Sequence, residues 1–439
     1  MIDSHELRRR DSYLNKLIGF QDTEPVKVIT GIRRCGKSSL LKLMVQHLKD
    51  TCVLPEQIIE MNFESFDFHK MSADDVYRYV KERIITGKRM YLFFDELQRI
   101  KAWEDAVNAF RVDFDCDIYV TGSNAYLLSS EYATYLSGRC VEIKMLPLSF
   151  REFLDFHGFD VRETQSALGG LRKQVFDKNN ERYELREVFA AYMRFGGMPG
   201  IADVGLEQEK VLALLDGIYS TVVIRDILER ETRRGQKQIT DPALLRKIIL
   251  FLADNIGSSV SIASIGNILV NEGLLDDDKR KGTPSAHTVQ AYVNALLESY
   301  FFYEIKRFDI KGKAYLRTLG KYYIVDIGLR NYLLGFRNRD SGHAIENVVY
   351  FELLRRGYDV AIGKIGNGEV DFIATTADEK KYIQVTESMM SEDVRKRELA
   401  PLQSIRDNYE KIVLSLEPGL DTSYDGIKSE NLIDWLLNE

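Results

Sequence analysis

Apolar and polar positions come in blocks along the first third of the chain. Val26–Thr30, Ile58–Phe63, Met90–Phe94, Ile118–Val120 and Cys140–Met145 are short runs rich in apolar residues. Between them, Ser39–Leu48, Ala73–Ile85 and Ala102–Arg111 space their apolar residues at helical intervals. Runs without strict alternation suit strands buried on both faces, and the longer stretches suit helices lying over them. Strand and helix taking turns predict a doubly wound parallel sheet, an α/β fold. Ahead of the first strand, Tyr13, Leu14, Leu17 and Ile18 predict a short helix packed on that core.

The pattern changes near residue 160. Residues 160–186 are charged, carry Gly169–Gly170, and read as a loosely structured connection with helical pieces. Glu187–Arg233 reads as a small helical lid. From Pro242 to Lys321, three helices (Leu244–Ala253, Ile262–Leu269, Ser285–Glu298) precede two short strands, Tyr300–Lys306 and Lys313–Arg317. Three helices and a hairpin predict a winged helix-turn-helix. The last region reads helix (Ala344–Arg355), strands Asp359–Ile362, Glu369–Ala374 and Lys381–Thr386, helix (Arg395–Asp407) and strand (Lys411–Leu416). The expected division is a nucleotide-binding core over 1–160, linker and lid over 161–238, winged helix over 239–335, and an α/β domain over 336–439.

With 439 residues and 45% hydrophobic content the chain can build about three cored domains. A net charge of −7 argues against a generally basic nucleic-acid coat but leaves local patches open. One such patch is the hairpin, where Lys306, Arg307, Lys311, Lys313, Arg317 and Lys321 face Asp309 alone. It suits a wing on the phosphates of duplex DNA. Asp276–Asp278 is acidic, and winged helices also serve as protein-packing modules, so both uses stay open. Cys35, Cys52, Cys116 and Cys140 form neither a zinc pattern nor a disulfide framework, which fits a reducing cytoplasm. Arg8, Arg9 and Arg10 are followed by no apolar signal core. The best apolar stretch, Ile248–Val270, is broken by Asp254. A soluble cytoplasmic protein without a membrane span is the expectation.

The chemistry concentrates after the first strand, in Gly31–Ile32–Arg33–Arg34–Cys35–Gly36–Lys37–Ser38–Ser39. Two glycines four residues apart and then Lys-Ser make a phosphate-binding loop. Its backbone N–H groups turn inward, and the following helix points its positive end at the same phosphate. Lys37 can reach the β- and γ-phosphates, and the Ser38 hydroxyl can ligate Mg2+. Met90–Phe94 runs into Asp95–Glu96 at the carboxyl end of a central strand. Asp95 would hold Mg2+ and Glu96 would orient the attacking water. Ser123 and Asn124 end the next strand, where one of them can bond the γ-phosphate or the water. Asn62 ends the second strand and could restrain Glu96, or be an ordinary strand-end residue.

Val28–Ser39, Phe93–Glu96, Thr121–Asn124 and Leu136–Arg139 together resemble prokaryotic AAA-superfamily ATPases. More narrowly they resemble ATP-binding proteins carrying a carboxy-terminal domain of unknown function. Pro147–Phe153, Phe195–Pro199 and Val222–Asp226 agree. The resemblance implies ATP rather than GTP, homo-oligomers, and Arg139 as an arginine finger reaching a neighbouring subunit. It also implies an adenine-side turn at Gly196–Pro199, with Arg194 as a second sensor. The last domain resembles a restriction-endonuclease core, in whose active members a helix Glu, a strand Asp and a Glu/Gln-x-Lys group hold metal. Glu346, Asp371 and Gln384 match, but Thr386 stands in the lysine position, and Lys396 or Arg397 would be a migrated replacement. Degeneration is the expectation. Three readings follow: an ATPase controlling a DNA-associated half, an ATP switch for signalling or scaffolding through an unidentified protein partner, and an ATP-regulated nuclease.

Overall fold

The amino-terminal apolar runs pair as the pattern requires. In the computed structural model, β1 (Val26–Thr30), β2 (Ile58–Asn62), β3 (Met90–Asp95), β4 (Cys116–Gly122) and β5 (Cys140–Lys144) form a parallel sheet in the order β2-β3-β4-β1-β5. With them run α1 (Asp11–Gly19), α2 (Lys37–Asp50), α3 (Ala73–Lys81) and α4 (Trp103–Asp113). Val26, Val28, Met61, Leu92, Phe94 and Val120 pack against Val76, Val80, Trp103, Val107 and Phe110 of α3 and α4. Burying each such side chain contributes about 1.5–3 kcal/mol. Residues 7–123, 125, 138–165, 171–228, 239–271, 284–316, 319–337, 341–366, 368–417 and 422–438 are described. The chain divides into one unit of Met1–Leu146 with Glu298–Tyr300, and another of Pro147–Leu297 with Phe301–Glu439.

The second unit opens with α5 (Phe150–His157), capped by Ser149, whose Oγ accepts from Glu152 N–H. Next come β6 (Asp160–Gln165), β7 (Leu171–Phe176) and β8 (Arg182–Tyr183), an antiparallel sheet. This corrects the expected loose connection. The charges that suggested a loop are cross-strand partners, with Glu163 opposite Lys173, while Gln174 and Val175 are buried. The helices α6 (Leu185–Phe195), α7 (Ile201–Val204) and α8 (Gln208–Ser220) follow where a helical region was expected.

After α9 (Pro242–Asp254) come β9 (Ser259–Val260), α10 (Ile262–Asn271), α11 (Ala286–Glu298), β10 (Phe302–Ile305), β11 (Arg307–Asp309), β12 (Ala314–Tyr315) and β13 (Gly320–Ile324). The antiparallel sheet order is β10-β13-β9. The strand after β10 is therefore not its partner. β11 and β12 form a separate hairpin, and β11 pairs in parallel with the carboxy-terminal strand β14 (Asp359–Ile365). Between them lie α12 (Ile327–Leu334) and α13 (Ser341–Arg355), and beyond them β15 (Gly368–Thr375), β16 (Lys380–Ser388), α14 (Glu392–Gln403), β17 (Glu410–Glu417), β18 (Ser423–Tyr424), β19 (Ile427–Asn431) and α15 (Leu432–Leu437). The resulting eight-stranded sheet runs β12-β11-β14-β15-β16-β17-β19-β18. No helix among the described residues is long and apolar enough to cross a membrane.

Candidate functional site

The phosphate loop leaves β1 at Gly31 and enters α2 at Gly36. Gly31 has φ 140°, and a Cβ there would meet the Met145 carbonyl oxygen at 2.1 Å, so only glycine lets the loop lie this close to the end of β5. Ile32 and Cys35 are buried and anchor the loop, whereas Arg34, at φ 64°, and Ser39 are exposed. Arg33 pairs with Glu64 at 3.1 Å. Lys37 is buried, and its Nζ donates to the carbonyls of Gly31 (2.9 Å) and Ile32 (3.1 Å). Those oxygens are weaker partners for an ammonium than phosphate oxygens, so the lysine is free to exchange them. Arg10 braces the loop from behind. It is buried, and its Nη1 donates to the carbonyls of Cys35 (3.0 Å) and Leu146 (2.8 Å). No motif marked it.

Asp95 ends β3 and Glu96 follows it, each buried. β4 lies between β3 and β1, so its end supplies their nearest polar partners. The Thr121 hydroxyl donates to Asp95 Oδ1 and accepts from Glu96 N–H at 2.9 Å. Asn62 Nδ2 donates to Asp95 Oδ2 at 2.9 Å. Asn62 thus bonds Asp95 rather than Glu96, which does not favour the first of the two roles weighed for it. Glu96 Oε2 instead accepts from Gln98 Nε2 (2.5 Å) and Ser123 Oγ (3.3 Å). Burial raises the Asp95 pKa, hydrogen bonds from Thr121 and Ser38 oppose that rise, and Glu96 adds to it. A doubly charged cation is the partner that would favour its charged form. Ser38 and Asp95 are thus a hydrogen-bonded hydroxyl–carboxylate pair beside an open loop, a donor set that fits Mg2+ with a nucleotide.

Other expected residues lie elsewhere. Asn124 falls outside the described residues. Arg139 is exposed at the start of β5, its carbonyl accepting from Val26 N–H at 2.9 Å. Arg194 donates to Gln208 at 2.5 Å. Gly196–Pro199 packs on the start of α12, where Asp326 Oδ2 accepts from Gly197 N–H at 2.6 Å.

A second polar cluster lies in the carboxy-terminal part. Glu346 on α13 and Asp371 on β15 are near each other, as expected, and Gln384 and Thr386 share one face of β16. Lys396 and Arg397 are exposed, pairing with Glu392 (2.7 Å) and Glu398 (2.8 Å) respectively, and Glu398 also accepts from Gln384 Nε2. Lys321 of β13 reaches the carboxylates instead, 3.1 Å from Glu346 Oε1 and 2.8 Å from Glu369 Oε1. It was expected on the wing surface and is buried. Arg307 also turns inward, 3.6 Å from Glu369. Lys306, Lys311 and Lys313 remain exposed, and Arg317 lies outside the described residues.

A parallel sheet carrying this loop and this acidic pair defines a P-loop NTPase fold. A family model described as an AAA domain matches residues 23–154, and one described as a domain of unknown function matches 186–340. The chain is 38% identical to an uncharacterized protein of Haemophilus influenzae over 98% of both chains. It is 30% identical to the uncharacterized protein MJ1544 of Methanocaldococcus jannaschii, over 95% of this chain and 85% of that one. It belongs to the family of these two relatives, one bacterial and one archaeal. Among solved structures it is similar to the Walker-type ATPase PABY2304 of Pyrococcus abyssi, with a TM-score of 0.45 at 16% identity, covering 74% of this chain and 95% of that one. The Thermotoga maritima RuvB branch migration motor gives a TM-score of 0.32 at 13% identity, covering 67% and 89%.

Proposed function

We propose that this chain is a Mg2+-dependent ATPase whose nucleotide state controls a DNA-associated half, made of a winged-helix module and an inactive restriction-endonuclease-like module. The observation that carries the ATPase reading is the meeting of Ser38, Asp95 and Glu96 beside a loop whose lysine rests on exchangeable carbonyls. The loop amides and the start of α2 would take the phosphates, and Lys37 would move to the β- and γ-phosphate oxygens. Ser38 and Asp95 would hold Mg2+, which neutralises phosphate charge when bound. Glu96 would orient and polarise the attacking water once it leaves Gln98 and Ser123. Asn124 would bond the γ-phosphate or that water, and Arg139 would serve a neighbouring subunit. We expect Lys37→Ala to abolish nucleotide binding. Glu96→Gln should keep ATP binding and lose at least about a hundredfold in turnover. A Gln variant hydrolysing ATP at the parent rate would remove Glu96 from this role.

The DNA reading draws on Lys306, Lys311 and Lys313, the exposed part of the hairpin. Duplex binding read by fluorescence anisotropy should weaken with salt, and the slope should fall by about one per lysine reversed to Glu. The second reading, a switch without a DNA role, draws on the inward turn of Lys321 and Arg307. A protein that binds no duplex at low salt, with or without ATP, would favour it.

A further inference from the structure

The nuclease-like resemblance implies a metal between Glu346 and Asp371, and the residues present do not fit one. Among the described residues no three His, Cys, Asp or Glu side chains converge as metal ligands. Asp371 Oδ2 is turned to the Val385 N–H at 2.9 Å, and the Gln384 amide donates to Glu398 at 3.0 Å. The carboxylate oxygens that do converge, Glu346 Oε1 and Glu369 Oε1, converge on Lys321 Nζ. Both groups at the Glu346 contact are buried, with side-chain exposures of 6% for Lys321 and 8% for Glu346. The Tyr323 hydroxyl, two residues along the same face of β13, donates to the same Glu346 oxygen. Burial alone would lower the Lys321 pKa, but Glu346, Asp371 and Glu369 outweigh it and hold the ammonium charged.

We propose that this cluster is a cation site filled from within, with the Lys321 ammonium standing where a divalent metal would otherwise bind. Glu346 is buried and Glu369 half-buried, and two carboxylates aimed at one point need a positive partner. The chain supplies it from β13, outside the α13–β14–β15–β16 group that carries the carboxylates. Mg2+-type ions need only one or two carboxylates and several waters. Removing the ammonium should therefore leave two oxygens and room for a hydrated cation. The proposal stands whether or not the hairpin touches DNA.

The test is Mn2+ titration of nucleotide-free, full-length protein, with free Mn2+ read by electron paramagnetic resonance. Wild type should show no site that depends on Glu346 up to about 1 mM. K321A and K321M should each gain one site, and K321A/E346Q should lose it. Near-UV circular dichroism reports folding, and K321M, which retains the stem volume, decides if K321A loses its native signal. The melting temperature of K321M should also rise more with Mn2+ than that of wild type. A wild-type Mn2+ site abolished by E346Q would overturn the proposal without any lysine variant. So would folded K321A and K321M that bind no more Mn2+ than wild type.

Discussion

Glu96 sits in left-handed backbone, φ 57°, directly after a fully buried strand. That turn sends its carboxylate back toward Gln98 and Ser123 rather than outward. If Glu96 orients the water as proposed, these two hydrogen bonds restrain it, and restraint of this kind is worth about 1 kcal/mol. We expect Gln98→Ala to raise basal ATP hydrolysis several-fold, up to about tenfold, in a steady-state phosphate-release assay. Glu96→Gln/Gln98→Ala should remain inactive. Unchanged turnover in Gln98→Ala would mean that the bond is incidental. The phosphate loop and Asp95–Glu96 were legible in the sequence because their chemistry depends on close spacing. Gln98 and Arg10 were not. Gln98 acquires its partner through a turn that residue types do not announce. Arg10 acts across a separation of 25 residues to Cys35 and 136 to Leu146, and its sequence neighbours are ordinary surface arginines.

At the scale of elements, Asp326 joins two segments that no local pattern connects. It caps α12 by accepting from Leu329 N–H at 3.1 Å, and it also accepts from Gly197 N–H. A Cβ on Gly196, at φ 82°, would meet Asp326 Oδ1 at 2.3 Å. The Gly-Gly-Met-Pro turn thus has a packing reason independent of any nucleotide. Burial pushes the Asp326 pKa up to about 6, against the backbone N–H bonds that favour the carboxylate. The folded state then holds the proton more tightly than the unfolded chain. Stability is fully present below about pH 4 and declines as pH rises through about 6, by roughly 2–3 kcal/mol. Urea unfolding of wild type between pH 4 and 7 should show this fall, and Asp326→Asn should remove that part of the slope. An equal slope in both proteins would discard Asp326 as its source. Periodic elements such as α13 and β14–β17 were legible nearly to their ends. The β6–β8 sheet was not, because its strands are short, half-exposed and charged, and charge in sequence reads as loop. The hairpin strands were legible as strands, but their pairing was not, since β11 joins a strand some fifty residues later.

At the scale of the whole molecule, Arg139 tests whether a second copy completes the proposed ATPase site. β5 runs parallel to β1 with Cys140 opposite Val26 and Lys144 opposite Thr30. Arg139 precedes Cys140, whereas Gly31 follows Thr30, so the two stand at opposite ends of the sheet. A strand rise of about 3.3 Å per residue separates those levels by on the order of 20 Å, beyond the reach of one arginine side chain. The Arg139 guanidinium therefore cannot serve its own loop. It is exposed at a sheet end, where a neighbouring subunit could present its phosphates. If it completes a neighbour's site, Arg139→Ala should lower turnover by about a hundredfold or more while leaving ATP binding intact, since a finger acts on transition-state charge. Lys37→Ala should be inactive for a different reason, an empty loop. Mixing the two should regenerate sites that pair an intact loop with an intact arginine, and part of the ATPase activity should return. Native mass spectrometry would verify that mixed oligomers form. Verified mixed oligomers without recovered activity would remove Arg139 from the site.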